Sequence, residues 1–370
     1  MKKTVLFLPF LQIPSGHHQV ANALIERIMQ THPQIKCEKV DILAYSYGKM
    51  ESLVSKTYLY WIKKFPKIYN SIYQFSVYKN IEEKKRYRLY ELLFISFMKR
   101  LIQEKKPDLI VCTHALPAYM LNCLKERSEL RVPVINVYTD FFIHRFWGVE
   151  HIDYHFAPSQ TMKKFLNEKG ISDERIFVTG IPIHSNIKKQ KQTPETPNGT
   201  VLSVLISGGN LGVGAIEDLI QMVRDDKSTQ QIQFYVLCGK NKKLYKKLND
   251  RQIDNLIPYP YIDCKIKMNE LYDQMDAIIT KPGGVTVSES LFKRKPIFIY
   301  HALPGQEEIN LHHLNELGLV FHLNKGEIRK QILTVFQNRT ALIHYQNQVA
   351  HFHTYIHSKD PSEIIMDILM

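Results

Sequence analysis

The sequence predicts an α/β protein of two parallel-sheet domains, and three observations carry that reading. Short apolar runs bounded by turn residues alternate with longer segments of helical period, the pattern of βαβ units. A polar stretch from Lys188 to Thr200 (KKQKQTPETPNGT) breaks the alternation, which then restarts. The chain of 370 residues also exceeds the roughly 250–300 at which a single hydrophobic core stops growing. The organisation expected is an N-terminal domain over 1–187, a linker over 188–200, a C-terminal domain over 201–345, and a helical segment, 346–370, packing back on the N-terminal domain. Two open sheets of this kind place ligands at the carboxyl ends of their strands, here expected in a cleft across which the domains face.

The elements follow in order. The start, MKKTVLFLPF, imitates a secretory leader, but no small-x-small cleavage site follows it, so Val5–Pro9 reads as a first buried strand. Leu109–Cys112, Val134–Tyr138, His155–Pro158 and Ile176–Thr179 continue the first sheet. Val201–Ser207, Gln233–Cys238, Ile257–Tyr261, Ala277–Thr280 and Pro296–Tyr300 make the second, with helical segments such as Ala215–Val223 between them. No repeat of 20–50 residues is visible, which argues against solenoids and propellers. No apolar run approaches the roughly 18–20 residues that a membrane span requires.

Five scattered cysteines (37, 112, 123, 238, 264) lack any metal-ligand spacing, which points to a reducing, cytoplasmic setting without structural zinc. The net charge of +13 makes a polyanion a natural neighbour: nucleic acid, an anionic membrane surface or a phosphate-bearing ligand. Between Lys49 and Arg88 ten Lys/Arg stand against three Glu, so just over half of the excess sits in one segment, which is also the most aromatic.

Two glycine-rich turns follow strands of the second domain, LISGGNLGVGAIEDLI (Leu205–Ile220) and ITKPGGVTVSES (Ile279–Ser290). Glycine lets backbone N–H groups approach a ligand, and a following helix offers unpaired donors and partial positive charge. Neither loop matches a Walker A pattern, and a plain tight turn explains either one alone. Glu289, about one and a half helical turns beyond Gly284, could accept hydrogen bonds from a ribose diol. HALPGQEEINLHHL then clusters Gln306, Glu307, Glu308 and Asn310 after a Pro-Gly turn. That group suits sugar hydroxyls, or equally an acidic helix N-terminus favoured by the macrodipole.

Taken together these segments resemble glycosyltransferase family 28, the GT-B enzymes that include bacterial diacylglycerol glucosyltransferases and plant monogalactosyldiacylglycerol synthases. The resemblance spans nearly the whole chain and is carried by SGHHQVANAL (Ser15–Leu24), TDFFIHRFWGVEHIDYHFAPS (Thr139–Ser159), VTGIPI (Val178–Ile183), CGKN (Cys238–Asn241), ITKPGGVTVSES and LPGQEEIN (Leu303–Asn310). It implies a GT-B fold and a UDP-sugar donor whose diphosphate is held by Gly283, Gly284 and Val285, with Lys281 and the Gly208-Gly209 loop nearby. Glu289 would hold the ribose, Gln306 and Glu307 the donor sugar, and the backbone near Lys265 and Ile266 the uracil. Two departures stand out: GGNLGVG is no close copy of the loop expected in the bacterial lipid enzymes, and Lys267 replaces a common Asn.

The resemblance further implies inversion at the anomeric carbon, with a base taking the proton of the attacking hydroxyl. His17 is the candidate base, because Gly16-His17-His18-Gln19-Val20-Ala21 matches the family's G-H-x-Q-V-A; His18 is the rival, and capping of the first helix is the bland alternative. A histidine near neutrality suits such transfer, typically contributing about 10²–10⁴-fold. Asp140 and His144 match the family's T-D-F…H…W segment and would orient His17 or the acceptor, although a loop Asp bonded to local backbone is equally ordinary. His114 and Pro117 follow another strand and are further candidates for an acceptor surface. No D-x-D motif occurs, so no metal and no cofactor beyond the UDP-sugar co-substrate is expected.

The segment MESLVSKTYLYWIKKFPKIYNSIYQFSVYK sets Tyr60, Trp61 and Phe65 among Lys63, Lys64 and Lys67. Such residues suit an anionic bilayer surface, where each basic group contributes roughly 1 kcal/mol; an amphipathic helix packed on the domain is the alternative. The expectation is a peripheral enzyme on the cytoplasmic face of the cell membrane, transferring a hexose, glucose before galactose, to diacylglycerol or a glycosyldiacylglycerol. A soluble acceptor, a UDP-sugar epimerase and a non-catalytic sugar-nucleotide sensor are the competing readings. Nucleic acid is disfavoured because no recognised motif accompanies the charge.

Overall fold

The computed structural model describes residues 3–10, 15–47, 86–190, 201–208, 216–225 and 232–370. It divides into one unit formed by 1–184, 304–306 and 355–370 and another formed by 185–303 and 307–354. The basic aromatic residues Tyr60, Trp61, Lys63, Lys64, Phe65 and Lys67, and residues 191–200 of the expected linker, lie outside the described residues.

In the first unit β1 (Thr4–Leu8), α1 (Gly16–Thr31), β2 (Lys36–Lys39), α2 (Ile42–Tyr47) and α3 (Arg88–Lys105) lead to β3 (Leu109–Cys112). There follow α4 (Ala115–Glu126), β4 (Val134–Val137), β5 (Tyr154–Ala157), α5 (Gln160–Glu168) and β6 (Ile176–Val178). The six strands are all parallel, in the order β2-β1-β3-β4-β5-β6. Helices cover both faces of such a sheet, so inner strands are continuous apolar runs: Val5–Leu8, Leu109–Cys112 and Val134–Ile135 are fully buried.

The second unit runs through β7 (Leu202–Ser207), α6 (Ile216–Asp225), β8 (Ile232–Leu237), α7 (Lys242–Arg251), β9 (Leu256–Tyr259) and α8 (Lys265–Gln274). It continues with β10 (Ala277–Thr280), α9 (Gly284–Phe292), β11 (Ile297–Ile299), α10 (Gln306–Glu316), β12 (Phe321–His322), α11 (Ile328–Gln337) and α12 (Arg339–Thr354). Its parallel order is β12-β11-β10-β7-β8-β9. Lys188 and Gln190, assigned to the linker by sequence, are tied into this unit by Lys188 N to Asn269 Oδ1 at 2.7 Å and Gln190 N to Phe292 O at 2.9 Å.

The chain rejoins the first unit at Tyr355, later than the 346 read from sequence. There the His357 N–H donates to the Val178 carbonyl at 2.7 Å. A last helix, α13 (Pro361–Leu369), buries Ile364, Ile365, Met366 and Leu369. Among the described residues no helix is long and apolar enough to cross a membrane.

Candidate active site

In the first sheet the winding reverses at β1, whose neighbours are β2 and β3, and such switch points open a crevice beyond the strands' carboxyl ends. His17, in the first turn of α1, lies there. Its Nδ1 is 2.9 Å from the carbonyl oxygen of Thr113, just past β3, and 2.8 Å from Oγ1 of Thr139, just past β4. Ser15, not His17, is the N-cap of α1, so the capping alternative does not describe this histidine. A carbonyl only accepts, so Nδ1 carries the proton and Nε2 keeps its lone pair. Burial lowers the His17 pKa from its ordinary 6.5, opposed by the charge of Asp140 and by the bond to Thr113. The ring is therefore uncharged at neutral pH.

His114 stands edge-on to His17 with ring centres 4.7 Å apart. Its Nδ1 accepts the Leu116 N–H at 3.1 Å and so caps α4, a role that sequence did not assign to it. Burial, then the neighbouring His17, His144 and His18, push its pKa well below 6.5. Pro117 is buried within the first turn of α4, which makes it a packing residue rather than a lining one.

Asp140 and His144 are carried by the segment after β4. Both are buried, and burial together with the nearby His17 drives the His144 pKa down to about 3. The segment turns back at Gly148 with φ +61, where a Cβ would stand 2.7 Å from that of Asn122; only glycine closes this turn. Asp140 Oδ2 accepts from Gln306 Nε2 at 2.6 Å, and Gln306 groups with the first unit. The glutamine expected at the donor sugar is thus bonded to the aspartate expected beside the base.

In the second unit the winding reverses at β7, flanked by β10 and β8. Ser207 and Thr280 are register partners at the ends of β7 and β10, so Gly208 and Lys281 leave the sheet side by side. Gly209 lies outside the described residues. Gly283 is the N-cap of α9, with φ −87, and no side chain caps the helix. The first helical bond is Val287 N to Gly283 O at 3.2 Å, which leaves the N–H groups of Gly284, Val285 and Thr286 ahead of the ladder. A Cβ on Gly283 would meet nothing within 4 Å, so open space lies beside these donors. That is the arrangement an anion requires.

Around this turn the charged candidates are paired. Lys281 Nζ is 3.7 Å from Glu307 Oε1, and Glu307 Oε2 accepts the Leu303 N–H at 2.7 Å. Glu289 is buried in α9, its Oε1 3.1 Å from Lys265 Nζ and its Oε2 accepting from the Tyr272 hydroxyl at 2.9 Å. Lys265, assigned to the uracil through its backbone, therefore also orients the ribose candidate through its side chain. Ile266 next to it is 55% exposed. Thr113, Thr139 and Tyr272 were not singled out by sequence; for the two threonines the usable signal was their place just beyond the carboxyl ends of β3 and β4. Among the described residues no group of three or more His, Cys, Asp or Glu side chains converges as a metal site.

Two all-parallel units, each with its candidate residues at the switch-point end of its sheet, define a protein of the GT-B class. Residues 17–183 match the model of monogalactosyldiacylglycerol (MGDG) synthase, and residues 203–352 match the glycosyltransferase family 28 C-terminal domain. The uncharacterized glycosyltransferase YkoN of Bacillus subtilis (strain 168) is 42% identical over 350 residues, 94% of this chain and 92% of that protein. The processive diacylglycerol beta-glucosyltransferase of the same strain is 25% identical over 367 residues, 96% of this chain and 92% of that one. The crystal structure of Acinetobacter baumannii MurG superimposes with a TM-score of 0.63 at 15% identity, covering 99% of both chains, a likeness of fold. The chain belongs to the family 28-related glycosyltransferases, and it is a glycosyltransferase.

Proposed function

We propose that the protein is an inverting hexosyltransferase that moves a sugar, glucose in preference to galactose, from its UDP conjugate to diacylglycerol or a glycosyldiacylglycerol. The observation that carries the chemistry is His17: a neutral imidazole with Nδ1–H tied to a carbonyl and Nε2 left basic. In the reaction Nε2 takes the acceptor's hydroxyl proton while that oxygen attacks the anomeric carbon from the face opposite UDP. The bond from that carbon to the UDP oxygen breaks, and the charge gathering on the diphosphate is met by the N–H groups of Gly284 and Val285 and by Lys281. In this reading Glu289 holds the ribose, the backbone near Lys265 and Ile266 the uracil, and Gln306 and Glu307 the hexose, while Asp140 and His144 shape the surroundings of the base.

Support for a lipid acceptor comes from two sides. The relatives aligned over almost the whole chain include processive diacylglycerol beta-glucosyltransferases. The first half of α3 also presents Leu89, Tyr90, Leu92 and Leu93 to solvent, at 65%, 42%, 80% and 39% exposure. Because α3 leads into β3, these side chains sit at the carboxyl edge of the first sheet, the edge that carries His17. Apolar side chains of this size beside Arg88 suit the surface of an anionic bilayer, which would make the enzyme peripheral, on the cytoplasmic face of the membrane.

The test is an assay of purified protein with UDP-glucose or UDP-galactose and vesicles of diacylglycerol with anionic phospholipid, read by product mass. Glucosyldiacylglycerol and released UDP are expected, with His17→Gln lowering kcat by about 10²–10⁴-fold. Transfer only to a water-soluble acceptor, or an isomerised UDP-sugar without released UDP, would overturn the reading.

A further inference from the structure

We propose that Thr139 is a positioning residue for the base: its hydroxyl, together with the Thr113 carbonyl, fixes His17 in the Nδ1–H tautomer and steadies the imidazolium formed when Nε2 takes a proton. The proposal rests on His17 being the base. Nδ1 has two oxygens within bonding distance, the Thr113 carbonyl at 2.9 Å and Thr139 Oγ1 at 2.8 Å. The carbonyl can only accept, so the hydroxyl must accept too, sharing the same N–H as a second acceptor. Had the hydroxyl donated to a bare Nδ1, the carbonyl would face a lone pair, and Nε2 would carry a proton and have no basicity to offer.

The placement suits the task. Thr139 is 3% exposed, so water does not compete for its hydroxyl. Its branched Cβ limits χ1, and the segment that bears it is held by the Tyr138 N–H bonded to the Phe156 carbonyl at 3.3 Å. Both acceptors follow strands of the sheet, 96 and 122 residues from His17 in sequence, so the ring is oriented by the rigid edge of the fold and not by its own helix. When Nε2 gains a proton, Nδ1–H becomes more acidic and both bonds strengthen, the service that a carboxylate performs in other base pairs. The charged and titratable groups about the ring are Asp140, which favours the imidazolium, and His114 and His144, whose own charges would oppose it; His18 acts on His114.

The test uses the full chain as Thr139→Val, Thr139→Ser and His17→Gln, with UDP-glucose and diacylglycerol vesicles as substrates and ¹⁵N-histidine spectra as a readout independent of turnover. Thr139→Val keeps the shape and removes one acceptor. It should lower the kcat plateau about ten-fold, the worth of one hydrogen bond to a charged group, and move the acidic limb of the kcat/KM profile to lower pH. It should also bring an Nε2–H population of His17 into the spectra, with the melting temperature little changed. Thr139→Ser should restore the limb and the tautomer. An inactive His17→Gln alongside a Thr139→Val with the wild-type limb and tautomer overturns the positioning role alone. A His17→Gln with wild-type turnover overturns the assignment of the base, and the positioning role with it.

Discussion

Glu289, proposed to hold the ribose, also has structural partners of its own. Its carboxylate sits between Lys265 Nζ and the Tyr272 hydroxyl, and Tyr272 is itself buried. Removing the carboxylate strands a cation and a buried hydroxyl, at a cost of about 2–4 kcal/mol. Glu289→Ala should therefore melt clearly lower than wild type, while Glu289→Gln, which still accepts from Tyr272, should keep most of the stability. If the ribose contact is real, Glu289→Gln still weakens UDP about ten-fold by calorimetry, since a charged acceptor is replaced by a neutral one. Equal UDP affinity in Glu289→Gln and wild type would leave the residue a purely structural one. The position of Glu289 beyond its glycines was legible in the sequence because it is a spacing within one helix. Its partners were not, because Lys265 and Tyr272 come from a different helix; the threonines beside His17 lie 96 and 122 residues away, and only their place just beyond β3 and β4 hinted at them.

At the scale of elements, the inner strands announced themselves because both their faces are covered, which forces unbroken apolar runs such as LIVC and AIIT. The strands that escaped notice, Lys36–Lys39 and Phe321–His322, are both at sheet edges, where one side lacks a neighbour and the residues are half-buried or exposed. Strand ends read one or two residues long, as in Ile257–Tyr261 against the observed Leu256–Tyr259, because apolar residues continue past the last ladder bond. The turn before α9 was legible from Pro282-Gly283-Gly284 alone, but its purpose is tested only by substitution. At φ −87 the Gly283 backbone needs no glycine, and an added Cβ meets no protein atom. Gly283→Ala should thus leave the melting temperature unchanged or slightly raised by its smaller unfolded-state entropy. It should raise KM for the UDP-sugar about ten-fold by intruding on the diphosphate site proposed at these N–H groups. A lower melting temperature with unchanged KM would mean that this glycine serves packing alone.

Across the whole molecule, the fold keeps histidines neutral inside both units, and this sets its tolerance of acid. Burial drives His144 and His155 of the first unit down to about 3, and His353 of the second to about 4. His155 is further opposed by Arg175, and His353 by Lys189 and Arg294, although the His353 Nε2–H bond to the Leu291 carbonyl pulls the other way. The sign follows from which state binds the proton. Above the unfolded value of about 6.5 neither state is protonated at these rings, and they add no pH dependence. Below it the unfolded chain takes up protons that the folded chain refuses, so stability falls with pH and levels off only once the folded pKa values are passed. Each ring contributes about 1.4 kcal/mol for each pH unit in that window. The two in the first unit alone would remove about 4 kcal/mol between pH 7 and 5, a large part of a typical domain's 5–15 kcal/mol. Carboxylates held low by cations, such as Glu38 and Glu91, weaken the fold only at lower pH. Denaturant midpoints measured from pH 8 to 4 should therefore be flat above about 6.5 and fall steadily below it, before the carboxylates titrate. His155→Gln should flatten the slope of the first unit's transition, since it removes one of these protons while retaining an acceptor near the Tyr138 hydroxyl now bonded to His155 Nδ1. Midpoints that stay level from pH 7 to 5 would show that these rings already share their protons with the folded state.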